Sequence, residues 1–261
     1  MDFKTQADAA AEEINSWVSK KTRDRIKNIL PPEALDTDTR LVLANAIYFK
    51  GSWARAFIKG CTIPEPFHLS FTSQVDVPMM SHEDEVRYVE SDLFQAVELP
   101  YKGDSLSMVV LLPRQLDGLE KFEGLLTPEF VAKCLGQMKK QEAEILLPRF
   151  KLESSFELSK KLAGMGMPDV FSPSANLLGI DGTTNLFVRS VYHKAWGEVN
   201  EEGTEAAAAT VAVVEEKAVL EPPKRPIFRA DHPFVFLIRE RQSGAILFLG
   251  RLSDPRDSGG G

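Results

Sequence analysis

The sequence predicts an α+β fold with large mixed or antiparallel sheets, and three observations carry that reading. Many short segments have apolar residues in strand-like alternation or continuous runs, and only a few show helical spacing. The two kinds of segment are interspersed without the regular βαβ rhythm of a parallel sheet. No internal repeat and no linker long enough to separate domains interrupts the 261 residues, so 1–261 reads as a single domain.

In chain order, residues 5–30 read as a helix. Ile14, Trp17 and Val18, then Ile26, Ile29 and Leu30, recur at helical spacing. Glu12 and Glu13 lie early and Lys20 and Lys21 late, as the helix dipole favours, and Pro31-Pro32 ends the run. TRLVLANAIYFKGSW (39–53) is apolar on both alternating sets, the pattern of a strand buried on both faces; Asn45 in its middle needs a partner if buried. From 60 to 113, PEPFHLSF, VDVPMM, EVRYVES, FQAVELPY and SLSMVVLLP read as strands broken by Gly, Pro and Asp. Residues 116–140 read as helical, 142–156 as a strand, and ELSKKLAGMG (157–166) as a short helix closed by glycine. LFVRSVYHKAWGEVN (186–200) is a long extended run. PFVFLIRERQSGAILFLGRL (233–252) is a hairpin turning at Gln242-Ser243-Gly244, and the tail, flexible over 256–261, follows it.

Composition excludes several function classes. Hydrophobic residues make up 43% and charged residues 26%, enough for a sizeable core in a globular chain. The net charge of −7 and the scatter of Lys and Arg leave no nucleic-acid footprint; KKTRDR (20–25) reads as a solvated helix face. No apolar run is long enough to span a bilayer, and MDFKTQADAAAEE lacks the apolar core of a signal peptide. Cys61 and Cys134 match no metal or redox spacing and read as free thiols. His68, His82, His193 and His232 have no nucleophile or metal spacing around them, and HEDE (82–85) reads as a polar turn. Neither an enzyme constellation nor a cofactor or metal site emerges.

The most unusual stretch is EVNEEGTEAAAATVAVVEEKAVLEPP (198–223). Alanine content and Thr204 as an N-cap favour a helix over 204–218, whereas Val211, Val213 and Val214 weaken it. At period two, Thr204, Ala206, Ala208, Thr210, Ala212 and Val214 share one side of an extended chain, and all are small or modest and uncharged. Such a strand can enter a packed sheet without displacing large side chains, with Gly203 as its hinge.

That stretch resembles the reactive-loop hinge of the serpins. NAIYFKGSW (45–53), PFHL (66–69), ELPY (98–101), LPRFKLES (147–154), VYHKAWGEVNEEGTEAAAAT (191–210) and FRADHPFVFLIRERQSGAILFLGRLSDP (228–255) resemble serpin segments in family order across essentially the whole chain. The chain departs from the pattern in two places. In the family, a segment like AAEEINSWVSKKT (10–22) follows several helices and strands that this chain does not contain, so the apolar face of 41–49 is expected to be partly uncovered and the chain alone to inhibit poorly. ARAFIKGCTIPEP (54–66) stands where the family has an acidic turn and predicts a locally altered one.

The resemblance implies a serine protease inhibitor that acts as a suicide substrate, not an enzyme. Its partner is a target serine protease held as a covalent acyl-enzyme, with neither nucleic acid nor membrane involved and an extracellular setting favoured. It places the reactive-centre loop and hinge at 198–226. The hinge comprises Glu201, Gly203, Thr204, Glu205, Ala206, Ala207, Ala208, Ala209 and Thr210. The usual loop length puts the reactive bond at Lys217–Ala218, which suits a trypsin-like pocket, with Glu216 or Ala218 before the bond as alternatives. Arg225 is a weaker candidate because Pro226 follows it. Twelve residues from Gly203 to Val214 span roughly 40 Å as a strand. Arg149 matches the basic partner of the hinge acid, here Glu201. Asn45 and His193 match a polar pair beneath the sheet-opening point, where a hydrogen-bonded core histidine is expected, and Trp53 the aromatic where the loop first enters. A non-inhibitory binding protein that merely presents the loop, or an inactive fragment, is the alternative.

Overall fold

A computed structural model describes residues 3, 5–204 and 225–256. In chain order the elements are α1 (Ala7–Lys21), β1 (Val42–Tyr48), β2 (Gly51–Ser52), β3 (Ile63–Ser70), β4 (Ser73–Glu90), β5 (Phe94–Pro100), β6 (Leu106–Pro113), α2 (Leu119–Glu123), α3 (Pro128–Gln137), β7 (Lys139–Pro148), β8 (Phe150–Glu157), α4 (Ser159–Gly164), α5 (Leu178–Asp181), β9 (Ser190–Asn200), β10 (Gly203–Thr204), β11 (Ile227–Arg229), β12 (Phe234–Glu240) and β13 (Ile246–Leu252). The described residues group into two compact units: those up to Phe49 with Leu152–Gly197, and Lys50–Lys151 with those from Glu198 onward.

In the first unit, β1 runs parallel to β9, with Val42 opposite Ser190 and Tyr48 opposite Trp196, and β8 also pairs with β9. Helix α1 is shorter than its periodicity predicts. It stops at Lys21 because side chains there compete with the helical ladder. The Thr22 hydroxyl donates to Val18 O (2.8 Å) and accepts from Ile26 N (3.1 Å), while Arg23 and Asp24 adopt positive φ. Asn15 then fixes the following segment, accepting from Leu30 N at 2.9 Å and donating to Leu30 O at 3.1 Å. Ile26, Ile29 and Leu30 are therefore core residues without being helical; they pack with Ala10, Val18 and Trp196. Trp17, expected on the buried stripe, is 58% exposed.

The run at 39–53 does form a strand, but not one buried on both faces. Val42, Ala46 and Tyr48 pack on the cluster beneath α1, whereas on the opposite face Leu43 is 47% exposed and Asn45 is exposed. One face packs on that cluster and the other is partly uncovered among the described residues, as anticipated for 41–49; Ile47 and Phe49 there are half-buried.

The second unit is built on a sheet in the order β11-β7-β4-β5-β6-β12-β13, with β3 paired to β4. β4 joins two expected strands into one of 18 residues, and Pro78 within it faces Pro64 of β3. The expected single strand at 142–156 is instead β7 and β8, broken at Arg149, whose N–H still donates to Pro78 O of β4 at 2.9 Å; Pro78 has no N–H to return the bond. The helical stretch 116–140 is two short helices; Thr127 ends the gap between them by capping α3 through a bond from Phe130 N at 3.2 Å. Both helices cover Phe94, Ala96, Val109, Leu111, Val235 and Leu237 of the sheet. The predicted β12–β13 hairpin is present, with Gly244 at φ +78° in its turn.

Candidate reactive-loop hinge

The hinge begins as a tight turn at the end of β9. Gly203 pairs with Asn200 and Thr204 with Val199, and on its other side β10 pairs antiparallel with Ser52 and Gly51 of β2. Asn200 closes the turn by accepting from Glu202 N at 3.1 Å. Only glycine fits at 203. Its φ is +140°, and a Cβ there would lie 2.1 Å from Gly51 O, 2.5 Å from Ser52 Cα and 2.8 Å from Trp53 N.

Glu201 is 2% exposed. Its carboxylate accepts from Arg149 Nη2 and, at 2.6 Å, from Thr62 Oγ1; its carbonyl accepts from Phe57 N at 2.8 Å. Burial alone pushes this carboxyl's pKa up, but the Arg149 and Thr62 hydrogen bonds outweigh it and leave the pKa below the ordinary value. Glu202 forms its own ion pair with Lys59 Nζ at 2.6 Å.

Trp53 is buried beside the turn. Its indole Nε1 donates to Asn200 O at 2.9 Å and its backbone N to Glu202 O at 3.0 Å. The ring stacks on Tyr101, centroids 4.7 Å apart, and meets Phe57 edge-on at 6.3 Å. Tyr101 Oη lies 2.9 Å from Thr204 Oγ1, and burial pushes its phenol well above the usual range. Thr204, first of the small residues in the period-two set, thus faces a buried aromatic floor.

The structure therefore brings together Glu201, Gly203, Thr204, Trp53 and Arg149. It adds Phe57, Lys59, Thr62 and Tyr101, which the sequence reading did not single out. Three of these lie in the altered segment 54–66, so that departure was itself the available signal; Tyr101 ends the ELPY motif.

Asn45 and His193 do meet, Asn45 Oδ1 to His193 Nδ1 at 3.2 Å, within the first unit. The histidine is half-buried rather than a core residue, because it sits on the uncovered side of the β1–β9 pair, stacked on Phe156 at 6.4 Å. Glu205, Ala206, Ala207, Ala208, Ala209, Thr210, Glu216, Lys217 and Ala218 lie outside the described residues, as does the choice between helix and strand for 204–218 beyond Thr204 itself. Arg225 is described and is held by Glu83 and, at 3.2 Å, by Glu142.

The family model described as serpin (serine protease inhibitor) matches residues 1–255. Leukocyte elastase inhibitor of Xenopus laevis is 42% identical over 98% of this chain and 68% of its own length. Serpin-ZX of Hordeum vulgare is 43% identical over 98% of this chain and 66% of its own. The crystal structure of uncleaved ovalbumin superposes with a TM-score of 0.87 at 36% identity, covering 98% of this chain and 65% of that one. The chain thus spans about two thirds of the length of the relatives it matches. With a buried hinge acid, an obligate glycine and a family model running to residue 255, this chain belongs to the serpin family, whose members are protease inhibitors rather than enzymes.

Proposed function

We propose that this chain carries the working parts of a suicide-substrate inhibitor of trypsin-like serine proteases. The serine Oγ of the protease attacks the carbonyl carbon of Lys217. The Lys217–Ala218 bond breaks, and the Ala218 amine leaves with a proton from the protease histidine, giving an acyl-enzyme. The freed segment from Glu205 onward then continues β10 as a strand, and the acylated protease is carried with it before water completes the cycle.

The observation that carries this reading is the position of Gly203 and Thr204. These two hinge residues already lie as a strand between β9 and β2, hydrogen-bonded into both. An inserting strand needs no new nucleus; it extends one that exists. Thr204 faces Tyr101, and the residues that continue its side are Ala206, Ala208, Thr210, Ala212 and Val214, none of which carries a charge to desolvate.

Incubation with trypsin tests the proposal. The expected product is a complex that survives SDS and has the summed mass of trypsin and the chain's N-terminal piece. Clean cleavage at 217 without such a complex overturns it in favour of a loop-presenting, non-inhibitory protein. The exposed Leu43 side of β1 favours a third reading, in which these residues alone do not retain the protease. That reading predicts nicking with neither a complex nor a gain in thermal resistance.

A further inference from the structure

A separate set of side chains gathers around Glu98, and the hinge makes no use of it. The register of β4, β5, β6 and β12 sets Arg87 opposite Glu98 and Arg239 opposite Ser107. The Glu98 carboxylate is buried. Its Oε2 accepts from Arg87 Nη1 at 2.5 Å and its Oε1 from Ser107 Oγ at 2.7 Å. Oε1 also lies 3.5 Å from Arg239 Nη1 and 3.4 Å from Arg241 Nε. One carboxylate therefore faces three guanidinium groups, and it makes a short bond to only one of them.

The donors outnumber the acceptors. Each guanidinium has five N–H groups, and a carboxylate has about four acceptor sites. Leu135 O takes one donor of Arg87 at 2.5 Å, and Arg241 O takes one of Arg239 at 3.2 Å. Arg239 Nε is buried and has no hydrogen-bond partner among the described residues. Two further carboxylates are close by but engaged. Asp104, largely exposed, pairs with Arg241, and Glu240 accepts from the turn amides of Gln242, at 3.0 Å, and Ser243.

Beside this cluster opens a groove of about 510 Å³, lined by Arg87, Arg239 and Arg241 and also by the carboxylates of Asp104 and Glu240. That volume falls in the range of small-ligand sites, roughly 300–1,000 Å³. Planar guanidinium forks with unused donors suit the tetrahedral oxygens of a phosphate or sulfate group. We propose that this groove binds a phosphate or sulfate group, either as the free anion or as a monoester.

Calorimetric titration of the full chain at fixed ionic strength, balanced with chloride, tests this with three probes: inorganic phosphate, glucose 6-phosphate and a sulfated heparin disaccharide. Saturable binding of at least one is expected, and the tightest probe identifies the source of the group. Arg241→Gln is expected to weaken binding about tenfold. Gln242→Glu, an exposed change that adds a negative charge at the rim, is expected to weaken it about fivefold without altering the fold. No saturable heat with any probe, or equal affinity in Gln242→Glu, overturns the proposal.

Discussion

Replacing Gly203 by alanine tests the hinge geometry most directly. The added Cβ meets three backbone atoms of 51–53, the nearest at 2.1 Å, and none can rotate aside. The φ of +140° adds a second cost, since an alanine there is strained whatever the space. Strained backbone conformations cost about 1–3 kcal/mol and forced overpacking a similar amount. Part of each is relieved together if β10 lifts off β2, so a net loss of about 3 kcal/mol is expected. For a chain of this size that corresponds to a drop in Tm of roughly 6–12 °C. Thermal unfolding followed by tryptophan fluorescence reads the drop. Amide exchange reads its location, because the Trp53 N–H bond to Glu202 O opens when the turn moves. Gly60→Ala serves as the control, having nothing within 4 Å of its added carbon. A Gly203→Ala protein with Tm within about 1 °C of the parent and an unchanged Trp53 amide would show that the close approach is not what fixes this residue.

The other expectations concern the same turn and the thiols. Arg149→Met removes the strongest of the hydrogen bonds that offset the burial of Glu201 and leaves Thr62 as its remaining side-chain donor. Breaking a buried pair costs about 3–5 kcal/mol, and the partial exposure of Arg149 reduces the expected loss to about 2 kcal/mol. In the parent, the depressed Glu201 pKa contributes stability that is present above the ordinary value of 4.5 and is lost as pH falls through the folded value. The variant lacks that contribution, so urea midpoints of the two proteins should differ most at pH 7 and converge as pH falls below the parent's depressed Glu201 pKa. Tyr101→Phe removes the bond to a buried Thr204 hydroxyl and should cost about 1–3 kcal/mol in urea unfolding; a neutral result would mean the hydroxyl finds another partner. Cys61 is exposed, whereas burial pushes the Cys134 thiol up to about 11. An aromatic disulfide reagent at pH 8 should therefore titrate one thiol in the native chain and two after denaturation.

The parts of the fold that were legible in the sequence are those set by local chemistry. The β12–β13 hairpin follows from two apolar runs and a glycine turn, and Gly203 from its place before a block of small residues. What was not legible depends on partners distant in sequence. The extent of α1 was misread because Ile26, Ile29 and Leu30 continue its spacing. Their burial comes from a loop that Asn15 ties back to the helix, a contact no periodicity reveals. The run at 39–53 looked buried on both faces because its own residues are apolar on both sides, yet burial also needs a second layer to cover them. At the hinge, the sequence could pair Glu201 with Arg149 by family position. Thr62 and Phe57 come from the altered segment 54–66, which signals a local change but not which of its side chains reach Glu201.

The attachment at either side of residues 205–224 has a consequence for handling the protein. Upstream, Glu201 is gripped by Arg149 and Thr62; downstream, Arg225 is gripped by Glu83 and Glu142, and β12 is laced between β6 and β13. A peptide bond severed between these clasps divides the polypeptide without dividing the particle. Such a nick should pass unnoticed on a gel-filtration column and show itself only as two bands once detergent has stripped the halves apart.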